Sequence, residues 1–233
     1  MCSLLTAGWT SAHSFASDTF RTRDGGELTI TFIKHASLML SYQGHIIQVD
    51  PVSDYADYSQ FPKADVILIT HEHADHLDPK AVEALEKPGT ILIANENSQK
   101  ILGKGIVMKN GDKNTSIDYL TIEAVPAYNT TPDHLKYHPK DRDNGYILTL
   151  GGTRIYIAGD TEDIPEMKNL KNIDIAFLPV NQPYTMTVPQ AARAARMFVP
   201  KILYPYHYGD TKIASLADEL KGAPVEVRIR EMQ

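Results

Sequence analysis

The sequence is poor in cysteine, since Cys2 is the only one among its 233 residues. A disulfide between two cysteines of this chain is therefore excluded, and so is a zinc cluster built on thiolates. Any metal that the chain holds must be bound by histidine and carboxylate side chains. Nine histidines and 29 acidic residues are available for that purpose.

Long apolar runs and clusters of basic residues are also missing. No stretch is long and apolar enough to span a bilayer, which argues against membrane insertion. The formal net charge is −6, from 23 basic and 29 acidic residues, so the chain is a poor candidate for binding a phosphate backbone. We therefore expect a small-molecule substrate and no nucleic-acid partner.

The N-terminal residues resemble the end of a secretory signal. Residues 3–9 are mildly apolar, and Ser14-Phe15-Ala16 before Ser17 has the small-x-small form of a cleavage site, although a basic region ahead of them is lacking. We predict a leader or disordered segment over residues 1–20 and a single domain over residues 21–233. Export to the periplasm is slightly favoured over a cytoplasmic location.

The rest of the chain alternates strand patterns with helix signals. Strands are predicted over residues 27–33, 36–42, 45–49, 65–70, 90–94, 120–127, 145–150, 153–158, 173–180, 202–206 and 225–229. Helices are predicted from Asp78-Pro79 to about residue 87, from the capping box at residues 187–190 to residue 198, and over residues 214–221. This order favours an α/β fold in which two sheets pack face to face with helices outside, a four-layer αβ/βα sandwich.

The segment THEHADHLD, residues 70–78, carries the strongest chemical signal. Three histidines and two aspartates fall within eight residues, directly after a buried strand. His71 and His73 point the same way in an extended segment and can reach one metal ion. Asp75 and His76 follow where the chain begins to turn and can reach a second ion. Imidazole and carboxylate suit Zn²⁺, and also iron or manganese.

This H-x-H-x-D-H pattern after an apolar strand resembles the signature of the metallo-β-lactamase superfamily. Other elements of that superfamily appear in order, namely Asp50-Pro51, Gly159-Asp160-Thr161 and Tyr206-His207. Three segments look most like the branch that holds ascorbate-6-phosphate lactonases, N-acyl-phosphatidylethanolamine phospholipases and uncharacterised bacterial metal-dependent hydrolases: His35-Ala36-Ser37-Leu38, Val49-Asp50-Pro51 and Asp75-His76-Leu77-Asp78. The resemblance covers roughly residues 27–230 and implies the metallo-β-lactamase fold.

The resemblance also implies a site for two metal ions. The first ion would be held by His71, His73 and His138, and the second by Asp75, His76 and His207, with Asp160 between them. The family usually takes a third histidine for the first ion from the end of a mid-chain strand, where this chain has Asn129. His138, nine residues later, could replace it, and His134 is a weaker alternative.

Other residues are assigned supporting roles by the same resemblance. Asp50 and Asp78 would orient ligand imidazoles. Three tyrosines are candidates for lining the cleft: Tyr128, Tyr184 and Tyr206. His35 is left open between the site mouth and a structural role, and His45 is expected to be structural or exposed.

The implied activity is hydrolysis of a small ester, lactone, amide or phosphoester by a metal-activated hydroxide, with Zn²⁺ as the expected metal and Mn²⁺ or Fe²⁺ as alternatives. Asp75 and Asp50 are the candidate catalytic residues. Two other readings stay open, an iron-dependent oxidoreductase of the sulfur dioxygenase type on the same fold and a non-catalytic metal-binding module. By the same resemblance, His73 favours zinc and hydrolysis over a di-iron site, because di-iron members of the family have a carboxylate at that position. A mononuclear iron sulfur dioxygenase keeps the H-x-H-x-D-H motif, so His73 does not exclude it.

Overall fold

The computed structural model describes residues 15–232. The strands of the first half are β1 (Ser17–Arg21), β2 (Glu27–Lys34), β3 (Ser37–Tyr42), β4 (His45–Val49), β5 (Val66–Ile69), β6 (Ile91–Ala94) and β7 (Ile106–Val107). Those of the second half are β8 (Lys113–Ile117), β9 (Leu120–Ala127), β10 (Asp143–Leu150), β11 (Thr153–Ile157), β12 (Ile175–Pro179), β13 (Ile202–Tyr206) and β14 (Glu226–Val227). The α-helices are α1 (Pro79–Leu85), α2 (Glu96–Leu102), α3 (Val188–Phe198) and α4 (Ser215–Glu219).

Three short 3-10 helices complete the described elements, at Tyr58–Gln60, Pro132–His134 and Pro165–Asn169. Between residues 15 and 232, none of the helices has the length and apolar character needed to cross a bilayer.

The two sheets share one arrangement. The first contains β1 to β7 and the second β8 to β14, each in chain order across the sheet. In the first sheet, the strands from β1 to β4 are antiparallel and those from β4 to β7 are parallel. The second sheet repeats this pattern, with β8 to β11 antiparallel and β11 to β14 parallel.

Helices cover the outer faces of both sheets. In β5, Val66 and Leu68 face the core between the sheets, while Ile67 and Ile69 pack in a second cluster with residues of α1. Because β5 is buried on both faces, its sequence is continuously apolar. On the other side of the molecule, α3 packs on the second sheet through Phe198, whose ring lies 5.5 Å from that of Tyr156. The predicted four-layer α/β sandwich is confirmed.

The strand directions place polar side chains at one edge of each sheet. Asp50 follows β4 directly, and His71 comes two residues after the end of β5. Asp160 lies three residues after β11, and His207 follows β13 directly. All four strands take part in parallel pairs, whose carboxyl ends meet at the same edge of a sheet, and ligand sites of α/β folds lie at such edges. The fold therefore brings these residues together from both halves of the chain.

The N-terminal boundary differs from the prediction. Residues 17–20, assigned above to a leader or disordered segment, belong to β1, which pairs in register with β2 from Ser17 opposite Thr31 to Arg21 opposite Glu27. Residues 1–14 lie outside the described part of the chain, so the leader stays a prediction there.

Three elements have no counterpart in the predicted pattern, namely α2, β7 and β8. α2 lacks an apolar period because Ser98 is its only buried residue. The residues at its two ends do indicate a helix. Asn95 caps the first turn by accepting a hydrogen bond from the Ser98 N–H, and Gly103 closes the helix with φ 67°.

Asp18 in β1 ties the first sheet to the second. Its carboxylate accepts hydrogen bonds from Arg230 Nη2 at 2.6 and 2.8 Å and from the Tyr204 hydroxyl of β13. Burial works to raise the pKa of Asp18, but the bonds from Tyr204 and Arg230, with the charge of Arg230, outweigh burial and lower it below the usual 3.8. The carboxylate therefore stabilises the packed sheets in its charged form.

We expect Asp18→Asn to lower the free energy of unfolding by about 1 to 2 kcal/mol at neutral pH, since charge-assisted hydrogen bonds are lost. A depressed folded-state pKa gives stability that is present above the unfolded value and is lost as the pH falls through the folded value. The difference between the two proteins should therefore shrink below about pH 4, where the wild-type carboxyl takes up a proton. Urea unfolding at several pH values measures it, with the exposed Asp118→Asn as control; a difference that stays constant with pH would contradict this account.

Candidate metal centre

Three histidines form one cluster at the edge where the two sheets meet. The ligand atoms of His71, His73 and His138 all lie within 4.8 Å of one another. His71 Nε2 and His73 Nδ1 are 3.1 Å apart, and the rings of both lie within about 5 Å of the His138 ring. This arrangement presents three nitrogens to a common point.

Neighbouring groups fix which nitrogen each ring presents. The Thr70 hydroxyl contacts His71 Nδ1 at 3.0 Å, which leaves Nε2 directed into the cluster. His138 Nδ1 contacts Asp143 Oδ2 at 3.0 Å, so its Nε2 is also free to face the cluster. A carboxylate behind a ligand imidazole holds its tautomer and orientation and raises its basicity as a ligand.

A second cluster lies beside the first and contains Asp75, His76, His207 and His35. Asp75 Oδ2 lies 3.1 Å from His35 Nε2, 3.5 Å from His207 Nε2 and 3.9 Å from His76 Nε2. His35 also packs against His207, with ring centroids 3.7 Å apart. One carboxylate oxygen is thus surrounded by three imidazoles.

Asp160 lies between the two clusters. Its Oδ2 is 3.3 Å from Nε2 of His138 and 3.2 Å from Nε2 of His207. Its Oδ1 is 3.3 Å from Nε2 of His76. Asp160 is the point at which the two ligand sets join, because it contacts imidazoles of both.

Gly159 allows the backbone before Asp160 to pass close to the backbone of β10. Its φ is +65°, and an added Cβ would lie 2.7 Å from the Asn144 carbonyl oxygen. Any larger residue at this position would therefore meet backbone that cannot move aside.

Asp50 supports the second cluster from beneath. It is fully buried, and its Oδ2 lies 2.8 Å from His76 Nδ1. The same carboxylate accepts hydrogen bonds from the backbone N–H of Thr70 at 2.8 Å and from the Thr70 hydroxyl at 2.6 Å. Asp50 does not line the cavity over the site, so it cannot contact a substrate there. Its role is to orient His76 and the end of β5.

The donor set fits a pair of divalent cations. Three buried atoms that face the clusters have no hydrogen-bond partner: His76 Nε2, Asp160 Oδ1 and His207 Nε2. Buried polar atoms are rarely left without partners, because each costs about 1 to 3 kcal/mol. Metal coordination would satisfy the atoms that point inward, and histidine nitrogen with aspartate oxygen is a common zinc donor set.

The electrostatics of the clusters also suit cations. Burial lowers the pKa values of His71 and His73, which keeps both imidazoles neutral, as a metal ligand must be. Burial would raise the pKa of Asp160, but the His207 and His76 charges hold it well below its usual range. In turn burial would lower the pKa of His207, and Asp160 outweighs this and raises it to about 9. Positive charge on the neighbouring imidazoles thus balances the negative charge of the buried Asp160 carboxylate. Divalent cations bound at the site could balance that charge instead.

The structure brings together all seven predicted metal-ligating residues: His71, His73, Asp75, His76, His138, Asp160 and His207. Of the two replacements considered for the family's third histidine, His138 lies in the cluster. His134 instead points at Glu162, with its Nδ1 3.2 Å from Oε1.

The side chain of Asn129 contacts two loops of the chain. Its side-chain amide donates to the carbonyl oxygens of Tyr184 at 2.8 Å and His134 at 3.2 Å. Asn129 therefore joins these two loops through its amide nitrogen.

Three of the supporting roles are wrong. Asp78 caps α1 and accepts hydrogen bonds from the backbone N–H groups of Lys80 and Ser53, both at 2.9 Å, so it orients no imidazole. Tyr206 is fully buried, and its hydroxyl accepts a hydrogen bond from the Gly159 N–H. Tyr128 is also buried, with its hydroxyl 2.8 Å from Glu166. Neither tyrosine lines the cleft.

The sequence left the role of His35 open and gave no indication of two other contributors, Asp143 and Tyr137. His35 stands at the end of β2 with φ +58°, and this left-handed turn carries its ring to Asp75. The His-Ala-Ser resemblance was the only signal for it. Asp143 and Tyr137 had no local signal, because each acquires its role through a loop that folds back on the site.

The cavity over the site is small. It has a volume of about 190 Å³ and is lined by His73, Asp75, Tyr137, His138, Asp160, Asn181, Tyr184 and His207. A cavity of about 440 Å³ lies instead on the outer face of the second sheet, among Val125, Ile147 and Met167, away from every metal-ligating cluster of the described residues. We place the chemistry at the smaller cavity because the ligand atoms converge there.

Comparison with known proteins gives a consistent result. The profile of a β-lactamase superfamily domain matches residues 29–207. A Pyrococcus furiosus protein named UPF0173 metal-dependent hydrolase is 31% identical over 206 residues, which cover 82% of this chain and 90% of that protein.

Two solved structures agree. A Parabacteroides distasonis protein, which its name assigns to the metal-dependent hydrolases, is 74% identical with a TM-score of 0.94, covering 94% of this chain and all of that one. Igni18, a metallo hydrolase from Ignicoccus hospitalis, is 25% identical with a TM-score of 0.73, covering 88% of this chain and 95% of its own.

We expect zinc to raise the melting temperature of the purified protein. At a hundred times its Kd, one bound ion stabilises the fold by about 2.7 kcal/mol, which corresponds to roughly 5 to 10 °C for a chain of this size. His76→Ala and Asp160→Ala should lower both this shift and the zinc content measured by mass spectrometry. His45→Ala, whose ring stacks on Tyr119 outside the site, should behave as wild type. Full zinc retention in both site variants would refute the assignment.

Proposed function

Because this chain belongs to the metallo-β-lactamase superfamily, we propose that it is a hydrolase that uses two zinc ions to cleave a small ester, lactone, amide or phosphoester. The observation that carries this proposal is the position of Asp160 between two ligand sets. Because its carboxylate has imidazoles of both clusters at about 3.3 Å or less, Asp160 would help to hold either ion. The names of the relatives support hydrolysis as the reaction.

Zinc ions bound there would lower the pKa of a water molecule towards neutrality and polarise the substrate's carbonyl or phosphoryl oxygen. The chain supplies the proton handling. Asp75 lines the cavity with 43% of its side chain exposed, so it can accept a proton from the attacking water and return it to the leaving group. Burial would raise its pKa, but the imidazoles of His207 and His35 beside it hold the pKa well below the usual range, so the carboxylate is charged at neutral pH.

The supporting residues keep the ligand rings in place. Asp50 holds His76 through Nδ1, and Asp143 holds His138 through Nδ1. Neither carboxylate lines the cavity. We assign both to positioning, and Asp75 to the proton transfer that was predicted for it.

The substrate is proposed to be small at its reacting end. A cavity of about 190 Å³ is below the usual range of roughly 300 to 1,000 Å³ for pockets that enclose a whole ligand. Only the scissile group and its nearest atoms would be enclosed, and the remainder would lie against the mouth. Export to the periplasm stays a separate prediction from the residues before Ser17.

We expect the zinc-loaded protein to hydrolyse members of a panel of lactones, aryl esters and phosphodiesters. Asp75→Asn should lower kcat by about a hundredfold to ten-thousandfold, the usual contribution of general acid–base catalysis. Zinc content is measured on the same sample to correct for any lost ligand.

Asp50→Asn serves as the comparison, since a residue that only orients a ligand typically changes metal affinity or activity by about ten- to a hundredfold. Protein purified without added metal separates the alternatives. Iron as the bound metal, with no hydrolysis of the panel after zinc loading, would favour the oxidoreductase reading over ours.

A further inference from the structure

We propose that the loop carrying Tyr137 and the loop carrying Tyr184 form an aromatic lip at the cavity mouth that selects substrates with an aromatic ring beside the scissile bond. This inference rests on the proposed hydrolysis and names the class of substrate for it. Both tyrosines line the cavity that contains the candidate metal ligands. The lip is therefore continuous with the site of the chemistry.

The two rings form a defined surface. Their centroids lie 5.0 Å apart with an interplanar angle of 70°, an edge-to-face pair. Such pairs have a preferred geometry and contribute about 0.5 to 1.5 kcal/mol beyond the area that they bury. Lys136 Nζ lies over the Tyr137 ring, 5.0 Å from its centroid. Tyr137 thus has a cation and its partner ring as neighbours, and the His134 ring lies 6.2 Å from it.

Tyr184 is the ring of the pair that remains accessible to a substrate. It is 45% exposed, although it is a large aromatic residue that also lines the cavity. A ring in this position can accept a second aromatic group, in the offset or edge-to-face arrangement that its quadrupole favours. A substrate whose ester or lactone group sits at the metal ligands would place its adjacent ring against Tyr184.

Asn129 holds the lip in shape. Its side chain donates to the Tyr184 carbonyl oxygen at 2.8 Å and to the His134 carbonyl oxygen at 3.2 Å. Its backbone N–H donates to the His138 carbonyl oxygen at 2.8 Å. The residue that stands where the family has a ligand thus joins the loop before β10 to the loop before α3. A lip built this way has little entropy left to lose when a ring binds.

A pair of lactones tests the lip directly. Dihydrocoumarin and δ-valerolactone share the same six-membered lactone, and only the first has a fused benzene ring. We expect Tyr184→Ala to lower kcat/KM for dihydrocoumarin by about two- to tenfold, and to change that for δ-valerolactone less than twofold. Tyr184→Phe should keep the wild-type ratio because it keeps the ring. Tyr119→Ala, a partly buried tyrosine outside the site, is the matched control.

Comparing each variant with wild type removes the difference in intrinsic reactivity between the two lactones. Equal losses for both lactones in Tyr184→Ala, or no loss for either, would overturn the lip. Zinc content must match wild type, since Tyr184 belongs to neither ligand cluster.

Binding of the product acids separates this inference from the proposed function. Calorimetry with 3-(2-hydroxyphenyl)propionate and 5-hydroxypentanoate requires no turnover. Tighter binding of the aromatic acid by wild type, weakened in Tyr184→Ala and kept in Tyr184→Phe, supports the lip even if neither lactone is hydrolysed. Equal affinities for both acids in all variants would overturn it. If wild type hydrolyses neither lactone, that result counts against the proposed ester hydrolysis and not against the lip.

Discussion

The structure around the site depends on one buried negative charge. Asp160 is 2% exposed, and such a carboxylate is costly to bury unless cations or hydrogen-bond donors surround it. Imidazoles from three separate parts of the chain meet that need: His76 after β5, His138 before β10 and His207 after β13. The charge therefore holds both sheets to a common point.

Backbone conformation at the strand ends also positions the side chains of the site. His35, Asp50 and His207 each follow a strand and each has a positive φ, between 44° and 58°. Residues other than glycine seldom adopt this left-handed region, and such conformations gather at functional sites. Each turn directs a side chain inward at the edge where the strand stops. Backbone hydrogen bonds maintain the arrangement, since the His207 N–H donates to the His35 carbonyl oxygen at 2.9 Å.

The sequence was most informative where chemistry is local. The segment from His71 to His76 follows a buried strand, so its spacing alone predicted two ligand sets. The apolar run of β5 and the caps at Asp78 and Thr187 likewise marked their elements correctly.

The rest depends on tertiary contacts. Asp143 contacts His138, five residues earlier, through the conformation of the loop before β10, and Asp78 accepts hydrogen bonds from the Lys80 and Ser53 N–H groups instead of orienting an imidazole. The pairing of β1 through residues 17–20 was missed because residues 1–20, which resemble a leader, were left out of the strand prediction.

The loop between β9 and β10 carries residues for two proposed functions, metal binding and substrate selection. It carries His138, which faces the metal-binding groups, and Tyr137, which forms half of the lip. Because the two residues are adjacent, a backbone displacement of this loop would move both side chains. On the two proposals made above, a substrate ring that shifts the loop would also shift His138, so substrate size and retention of the metal would be coupled.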